Sequence, residues 1–456
     1  MIGLGGVRSA TGRRRARRAH SSLPAWGAGL PAIAIVLALV GACASASAEP
    51  LCTDKWVGPS EGSWRTAADW SAGHAPGSGD VACVGSGVTV QVSEGTNQAS
   101  VLQDEGSLLI SAGSLEITSA LEASSVSTIA LSGGSLSVAD ELDVSGSFAS
   151  SGSSKPVVSG GGKLLLESGT TGTIGGCSPL VLSGVTLENQ GTVTTGASGG
   201  SVDGEIRMQN GAQLDNAGTF NEDTYDNGPC WENHAIEKAG GAAPGFTNTG
   251  TFNVSIGSGH TAQIQVAFDN QGTVNVQSGA LRLTGGGSDS SGAWAVSSGA
   301  TLSMTGGSFS SSKDAWSGSG TVNVDGATVT ASDLEAGSIA LSVNSGSLAI
   351  SEGSLLSLTD LTLTGGALEV SGEIDVSGSF ASGGEKPVVS GSGELVVESG
   401  ATGTVEGCSP LVLSGVRLSN EGTVTTGASG GSVDGEIRMQ NGAQLDKRGD
   451  FQRGYV

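Results

Sequence analysis

A seven-residue pattern recurs along the chain and constrains its fold more than any other feature. It consists of an apolar residue, any residue, Asn, any residue, Gly, Thr, and then Val or Phe. Gly accepts positive φ and Asn tolerates left-handed backbone, whereas Thr and Val favour strands. The pattern therefore predicts a strand, a tight corner and a further strand, repeated as in a stacked β-protein. The predicted corner residues are Asn189, Gly191, Asn216, Gly218, Asn248, Gly250, Asn270, Gly272, Asn420 and Gly422.

The spacing of these repeats predicts an all-β fold, namely a parallel β-helix (β-solenoid) in which short strands stack as rungs. Similar strands led by Gly106, Gly134 and Gly162 begin at equal intervals, and the later Asn corners follow at similar but less even intervals. Rungs of roughly 20–30 residues would number about fourteen and form a solenoid about 65 Å long. Alternating Leu, Ile and Val would face inward. We expect the solenoid to cover residues 88–446.

The solenoid region contains a long internal duplication, over residues 106–215 and 346–446. Within it, the stretches 191–215 and 422–446 are identical. The identity includes positions that a fold does not constrain, which indicates recent duplication. Repeated modules suit multivalent contact better than a single active site. Because the copies diverge after Asp446, residues 447–456 are interpreted as an aberrant or truncated tail.

Residues 1–48 predict export. An arginine-rich run from Arg13 to Arg18 precedes an apolar run from Leu30 to Val40 and then small residues, which is the order of a secretory signal peptide. The apolar run is shorter than the ~20 residues that span a bilayer, so no membrane span is expected in the mature chain. Cleavage before Glu49 is favoured, and lipid anchoring through Cys43 is the alternative. Either route predicts a secreted or cell-surface protein.

The charge of the exported part excludes some classes of partner. Six of the 20 basic residues lie in the first 48, which leaves 14 against 43 acidic residues, or about −29. Such a charge repels nucleic acid and anionic lipid. The expected partner is a surface polysaccharide or the surface of a host or neighbouring cell, and no cofactor is expected.

The cysteines fit an oxidising compartment. Cys52 and Cys83 flank the first mature segment and predict a disulfide, and Cys177 and Cys230 are the next plausible pair. Cys408 remains without a partner, because the counterpart of Cys230 in the second copy would fall at position 461.

A Trp-rich segment, residues 49–87, precedes the repeats. Trp56, Trp64 and Trp70 are followed by Gly, Pro and Asp at short spacings. The segment resembles the opening of bacterial surface and passenger-type β-solenoid proteins, which are adhesin-like or autotransporter-like, although many of these carry Asn where Asp69 stands. The resemblance implies a cap, since an open solenoid end would expose strand edges and core. The alternative is a Trp-lined carbohydrate platform.

Residues 221–241 depart from the rung pattern and concentrate acidic side chains. Glu222, Asp223 and Asp226 are the candidates for a Ca²⁺ site, since hard cations prefer clustered oxygens. Their spacing lacks the alternation of a strong calcium loop, so a solvated loop held by a disulfide is favoured. The three histidines of the mature chain also lack the spacing of metal ligands.

A polysaccharide lyase or glycoside hydrolase is the alternative function, because such enzymes often use parallel β-helices. Residues 203–207 and their copy, residues 434–438, carry Asp, Glu and Arg at alternating positions. The carboxylates to test are those of Glu205, Asp223 and Glu232. An identical duplicate of an active site would be unusual, and fold analogy does not establish activity. No catalytic residue is therefore assigned, and a structural or adhesive stalk is expected.

Overall fold

A computed structural model describes residues 51–152, 154–196, 204–224, 234–311, 313, 315–427 and 435–453. The predicted signal segment, with Cys43, lies outside these residues. From residue 51 onward the described chain is a parallel β-solenoid of about 16 turns, as the repeats predicted. The solenoid contains one short 3₁₀ helix, Ala67–Asp69. Among the described residues, no helix has the length and apolar character that a bilayer span requires.

After the first turn, which lacks a strand on face 3, each turn contributes one strand, or one part of a longer strand, to each of three faces. Face 1 contains Asp54–Lys55, Val81–Val84, Lys163–Leu166, Thr186–Asn189, Gln213–Asn216, Gly245–Asn248, Ala267–Asn270, Gly287–Ser290, Ser308–Ser311, Ala367–Val370, Val388–Ser390, Leu411–Ser414 and Ile437–Gln440. Face 2 contains Glu61–Ser63, Thr89–Val92, Thr171–Ile174, Thr192–Thr195, Thr219–Glu222, Thr251–Ser255, Thr273–Ser278, Ala293–Val296, Ala315–Gly318, Glu394–Val397, Arg417–Asn420 and Gln444–Lys447. Face 3 contains Thr96–Ala99, Ser114–Ile117, Ser135–Val138, Val157–Ser159, Leu180–Ser183, Ile206–Gln209, Ile236–Lys238, Thr261–Ile264, Ala280–Leu283, Thr301–Met304, Thr402–Val405, Thr423–Thr426 and Asp450–Arg453.

Longer strands bend across a corner and serve two or three faces. Faces 1 and 2 share Val101–Ile110, Ser124–Leu131 and Glu141–Ser150. Faces 3 and 1 share Thr321–Ala331, and faces 2 and 3 share Leu355–Leu363 and Glu373–Ser382. Glu335–Ile350 contributes to all three faces. These pairings are all parallel, so identical positions of successive turns lie directly above one another.

The core is a set of stacked columns of inward-facing side chains. Strands such as Lys163–Leu166 bury every second residue, because successive side chains of a strand point to opposite sides. One column of face 1 contains Leu142, Leu164, Leu187, Leu214, Phe246 and Phe268. Aromatic rings continue the packing, with centroid separations from 4.8 to 5.8 Å among Phe220, Phe246, Phe252, Phe268 and Trp294. The alternating apolar residues of the sequence therefore form one continuous core.

The turns are shorter than the equal spacing of the three leading glycines suggested. Gly106 leads into a strand of face 2, Gly134 into face 3 and Gly162 into face 1. Ser107, which follows Gly106, pairs with Thr128, a position that the chain reaches before Gly134. The interval between the glycines thus covers one and a third turns, and taking it as one rung was wrong. Similar strands recur on different faces, so similarity of sequence alone does not give the length of a turn.

The duplicated segments lie on different faces of the solenoid. Ile206–Gln209 belongs to face 3, whereas its identical copy, Ile437–Gln440, belongs to face 1. Ten complete turns separate the first strand from Thr423–Thr426 on face 3, and the copy follows on the next face. The offset between the two copies therefore corresponds to ten and a third turns. The identical sequences point in directions that differ by about a third of a revolution.

The asparagines of the repeated corner are buried strand residues, and the expectation that they adopt left-handed backbone was wrong. Asn189 Nδ2 donates to Asn216 Oδ1 at 2.7 Å, Asn216 to Asn248 at 2.7 Å, and Asn248 to Asn270 at 2.8 Å. The same amides also donate to a carbonyl of the next turn, such as Thr219 O at 3.0 Å. The residues form a ladder inside the core. Asn420 is buried too, but stands apart from the ladder and donates to Asp450 O at 2.9 Å.

The glycines of the same corner are required by proximity between turns, and not by positive φ as predicted. None of the five is among the positive-φ residues of the described chain. A Cβ on Gly218 would lie 2.2 Å from Gly191 O, and one on Gly250 would lie 2.2 Å from Gly218 O. The equivalent separations are 2.3 Å at Gly191, 2.2 Å at Gly272 and 2.3 Å at Gly422. Only glycine leaves room for the carbonyl of the preceding turn.

The N-terminal aromatic residues are packed against the first turns. Trp64 and Trp70 are buried, and the Trp70 ring lies 5.1 Å from Trp56 and 5.2 Å from Trp64, centroid to centroid. Trp70 Nε1 donates to Trp64 O at 2.8 Å. Asp54–Lys55 already pairs with Val81–Val84, so the rungs begin within the segment predicted as a cap. The indoles of Trp64 and Trp70 are therefore turned into the packing, whereas Trp56 is partly exposed.

The cysteines that the structure describes are one crosslinked pair, one further bonded residue and one free thiol. Cys52 and Cys83 form a disulfide with a Cα–Cα separation of 5.7 Å. Cys177 is disulfide-bonded, and its predicted partner Cys230 lies outside the described residues. Cys408 is free and exposed.

Residues 447–453 continue the last described turn, so the boundary predicted at 447 is not a structural one. Asp450–Arg453 pairs with Thr423–Thr426 on face 3. Gly449 keeps the corner geometry, since a Cβ there would lie 2.1 Å from Gly422 O. Retaining this glycine allows the divergent sequence to follow the solenoid path.

Candidate functional site

The acidic segment begins at the end of the face 2 strand Thr219–Glu222. Glu222 points inward and is fully buried, whereas the next residue, Asp223, is partly exposed. Glu222 Oε1 accepts hydrogen bonds from Thr195 Oγ1 at 2.6 Å and from the backbone N–H of Thr224 at 2.8 Å. Among the described residues, Glu222 Oε2 has no hydrogen-bond partner. The glutamate therefore belongs to the solenoid core.

This geometry does not assemble the predicted Ca²⁺ ligands. Glu222 and Asp223 are neighbours in an extended chain and point to opposite sides, so their carboxylates do not converge. Asp226 lies outside the described residues. In the described ranges, no group of three or more His, Cys, Asp or Glu side chains is arranged to hold a metal ion.

Two buried carboxyl groups of the described turns, those of Glu222 and Asp104, have pKa values well above the ordinary range. Burial raises the pKa of Glu222 to about 7, although hydrogen bonds from Thr195 and Thr224 lower it. Burial likewise raises the pKa of Asp104 to about 7, while the hydrogen bond from Gly106 N, at 2.6 Å, lowers it. Neither group is accessible to a substrate, so the raised pKa values concern stability rather than catalysis.

Of the carboxylates proposed for the enzymatic alternative, those of Glu205 and Asp223 lie at one corner, between faces 2 and 3, where Gly204 N donates to Thr224 Oγ1 at 3.1 Å. Glu205 is 1% exposed, and its Oε1 lies 3.4 Å from Arg207 Nη2. Arg207 Nε also donates to the carboxylate of Glu237. Burial raises the pKa of Glu237, but hydrogen bonds to Glu205 and Arg207 bring it below its ordinary value. Asp203 and Glu232 lie outside the described residues.

The second copy of this sequence has a different environment. Glu436 and Arg438 lie 3.3 Å apart, and their side chains are 54% and 57% exposed. Asp434 lies outside the described residues. The next turn covers the first pair through Glu237, whereas the second pair lies in the last described turn, which accounts for its exposure.

Charged side chains concentrate on face 1 in the first copy. Lys163 Nζ bridges Glu141 at 2.9 Å and Glu188 at 3.1 Å. Burial, aided by the neighbouring Glu141, raises the pKa of Asp143 to about 7. Burial and then the charge of Glu188 raise the pKa of Asp215. Lys163 is thus the central cation of an otherwise acidic strip.

The equivalent strip of the second copy lies on face 2, because that copy is shifted by one face. Glu394 occupies the position of Lys163 and stacks next to Glu373 and Arg417. Burial and the neighbouring glutamates raise the pKa of Asp375. An open groove of about 800 Å³ runs beside this strip and is lined by Glu373, Glu394, Arg417 and Gln444, among others. It is shallow and hydrophilic.

A contrasting uncharged surface covers face 2 from Thr89, in the second turn, to Thr273. We name its first outward column the hydroxyl ladder. The members pair in register from one turn to the next and are partly or fully exposed. The hydroxyl ladder consists of Thr89, Ser107, Thr128, Ser147, Thr171, Thr192, Thr219, Thr251 and Thr273.

A second outward column runs beside the hydroxyl ladder and also lacks charge. Asn275 Nδ2 donates to Asn253 Oδ1, and Asn253 Nδ2 to Asn221 Oδ1, both at 2.9 Å. Asn221 Nδ2 donates to Thr194 Oγ1 at 3.3 Å. This accompanying column consists of Gln91, Leu109, Ala130, Ala149, Thr173, Thr194, Asn221, Asn253 and Asn275.

The sequence contains a pattern from which this surface could have been predicted. The Thr after each corner Gly, and the residue two positions later, both point outward on face 2 in Thr192–Thr195 and Thr251–Ser255. Sequence reasoning used that Thr only as a strand former. Its fixed place after the glycine would have predicted a stacked hydroxyl column, once the turns were placed in register.

Comparisons with known proteins do not assign the chain to a family. No family model matches it, and no curated protein or solved structure is significantly similar to it.

Proposed function

We propose that this protein is a structural and adhesive stalk, secreted or displayed on a bacterial cell surface, of the adhesin-like kind that its Trp-rich opening resembles. The observation that carries the proposal is the unbroken parallel stack, in which outward side chains of one type return turn after turn on one face. Such a scaffold repeats one surface many times. Catalysis instead needs a pocket in which different groups converge.

The arrangement of the duplication supports the same function. Two identical stretches are separated by ten and a third turns, so the solenoid carries the same short sequence on two of its faces. Two weak contacts made by one rigid molecule reinforce each other, since the second becomes intramolecular. Adhesion benefits from this geometry, whereas turnover of a substrate does not require it.

The enzymatic alternative has less support from the described residues. Glu205 is buried against Arg207 and is therefore not accessible to a substrate, although Asp223 lies at the same corner, between faces 2 and 3. Hydrolysis of a glycosidic bond needs two carboxyl groups facing each other across the substrate. No residue is therefore proposed as catalytic.

Deletion of the gene from the producing cell tests the stalk function. We expect deletion to lower adhesion to polysaccharide-coated surfaces several-fold, and both the wild-type gene and an E205Q/D223N gene to restore it. Unchanged adhesion after deletion would contradict the proposal. So would release of sugar fragments by the purified protein, if the E205Q/D223N variant abolished that release.

A further inference from the structure

We propose that face 2, over the hydroxyl ladder and its accompanying column, binds an extended neutral polysaccharide, namely a β-1,4-linked chain lying along the solenoid axis. This inference rests on the proposed adhesive function and names the class of ligand. The surface spans nine turns, from Thr89 to Thr273, or roughly 40 Å at the spacing of parallel strands. Its first column is a regular outward array of Thr and Ser hydroxyls, paired in register from turn to turn.

The repeat of the surface matches the repeat of such a ligand. Successive hydroxyls of the ladder are one strand spacing apart, about 4.8 Å. Each sugar of an extended β-1,4-linked chain advances by a similar distance. Hydroxyl groups of successive sugars can therefore meet Thr or Ser side chains of successive turns. Hydroxyls both donate and accept hydrogen bonds, so the two partners satisfy each other.

The chemistry of the surface excludes other partners. None of its eighteen residues is charged or aromatic, although the whole protein carries a formal charge of −23. Nucleic acids and acidic polymers require cationic side chains. Cores of protein interfaces are enriched in aromatic residues, Met and Arg, which this surface lacks. A neutral ligand rich in hydroxyls is the remaining complement.

The surface is preorganised. Thr side chains have few accessible rotamers, and the ladder strands are paired with a neighbouring turn on either side. The bonds that join Asn275, Asn253, Asn221 and Thr194 fix the orientation of their amides. Binding therefore costs little ordering of side chains. Each hydrogen bond is individually weak, so we expect affinity to rise steeply with the length of the bound polymer.

Retention of the full-length protein on cellulose and chitin particles in about 1 M salt tests the assignment, because charge interactions are screened there. We expect retention on at least one of them, with amylose, which is coiled, as the negative control. The T192V/T219V/T251V variant removes three adjacent hydroxyls while keeping branched side chains suited to strands. It should lower the affinity about tenfold or more. A T192Y/T219Y/T251Y variant should block the same surface sterically.

A matched variant on face 1 controls for nonspecific effects. Ser308, Thr328 and Ser347 also stack in register, and S308Y/T328Y/S347Y should leave retention unchanged. Failure to bind cellulose or chitin would overturn the inference, as would equal losses in the face 1 and face 2 variants. Shaping of growing ice crystals without retention on either polymer would assign the surface to ordered water instead.

The outcomes also separate this inference from the proposed stalk function. If deletion abolishes cell adhesion while T192V/T219V/T251V cells adhere normally, the stalk function stands and the face assignment fails. If the purified protein binds cellulose through face 2 while deletion leaves adhesion unchanged, the stalk function fails and the binding surface stands.

Discussion

At the scale of the residue, Asn and Gly of the repeated corner have roles that residue preferences did not reveal. The corner itself was predictable from the sequence, since Gly and Asn mark turns. The left-handed geometry assigned to both was wrong, because the Asn amides bond to the next turn and the glycines admit the carbonyl of the preceding one. Both contacts exist only when turns stack in register, which a local preference cannot express.

Asn248→Ala should destabilise the solenoid by about 2–4 kcal/mol, because it leaves buried amide groups of Asn216 and Asn270 without their partner. Denaturant unfolding followed by circular dichroism measures this change. Asn275→Ala removes a partly exposed amide from the accompanying column of face 2 and should cost less than about 1 kcal/mol. Equal losses in the two variants would argue against the buried ladder.

Gly250→Ala should cost about 1–3 kcal/mol or more, since its Cβ would lie 2.2 Å from Gly218 O, a backbone atom that cannot move away alone. Gly161→Ala is the matched control, because no heavy atom lies within 4 Å of the Cβ it would add. We expect the control to remain within about 0.5 kcal/mol of the wild type by the same unfolding assay. Comparable unfolding free energies for the two variants would contradict close stacking at this corner.

Glu222 should make stability depend on pH. Its pKa rises from an ordinary 4.5 to about 7 on folding, so the folded state holds the proton more tightly. The free energy of unfolding should therefore fall as pH rises from about 4.5 to about 7, by about 3 kcal/mol from this group, and then level off. Denaturation of the wild type and E222Q at pH 5 and pH 8 isolates that contribution. An identical pH dependence in both proteins would refute it.

At the scale of the element, equivalent strands of the two copies acquire different surfaces, because their residues and their stacked neighbours differ. Lys163 links two glutamates on face 1, whereas Glu394 adds a carboxylate at the equivalent place on face 2. The number of acidic residues could be read from the sequence. Their grouping could not, because it depends on which strands stack together.

Glu394→Lys combined with Arg417→Thr and Ser419→Glu should recreate the arrangement of the first copy, in which a lysine lies between two glutamates, and should raise the free energy of unfolding by roughly 0.5 kcal/mol. The gain should shrink at high salt, where surface charges are screened. Glu369→Lys on face 1 is the control, because its stacked neighbours Ala349 and Ser390 are uncharged. Thermal unfolding at low and high salt measures these changes. Equal changes in the stability of the two variants would contradict the account.

At the scale of the whole molecule, the stacked architecture was predictable and the path of the chain around it was not. Recurrent Asn-Gly corners and alternating Leu or Val sufficed to predict a parallel solenoid. The spacing of Gly106, Gly134 and Gly162 gave a turn of the wrong length, because successive similar strands lie on successive faces. For the same reason, the sequence did not reveal that the second copy is rotated about the solenoid axis by a third of a revolution relative to the first. Nor did it reveal that hydroxyls align on face 2.

The central claim is that successive turns stack in register, so that repeated residues form continuous surface ladders. Paired cysteines test it most directly in a C408S background, which removes the free thiol. T251C/T273C places two cysteines on directly paired positions, about 4.8 Å apart, which suits a disulfide. T251C/N275C places them diagonally, about 7–8 Å apart. Mild oxidation should close the first pair and leave the second reduced. Preferential closure of the diagonal pair would show a different register and would contradict the ladders.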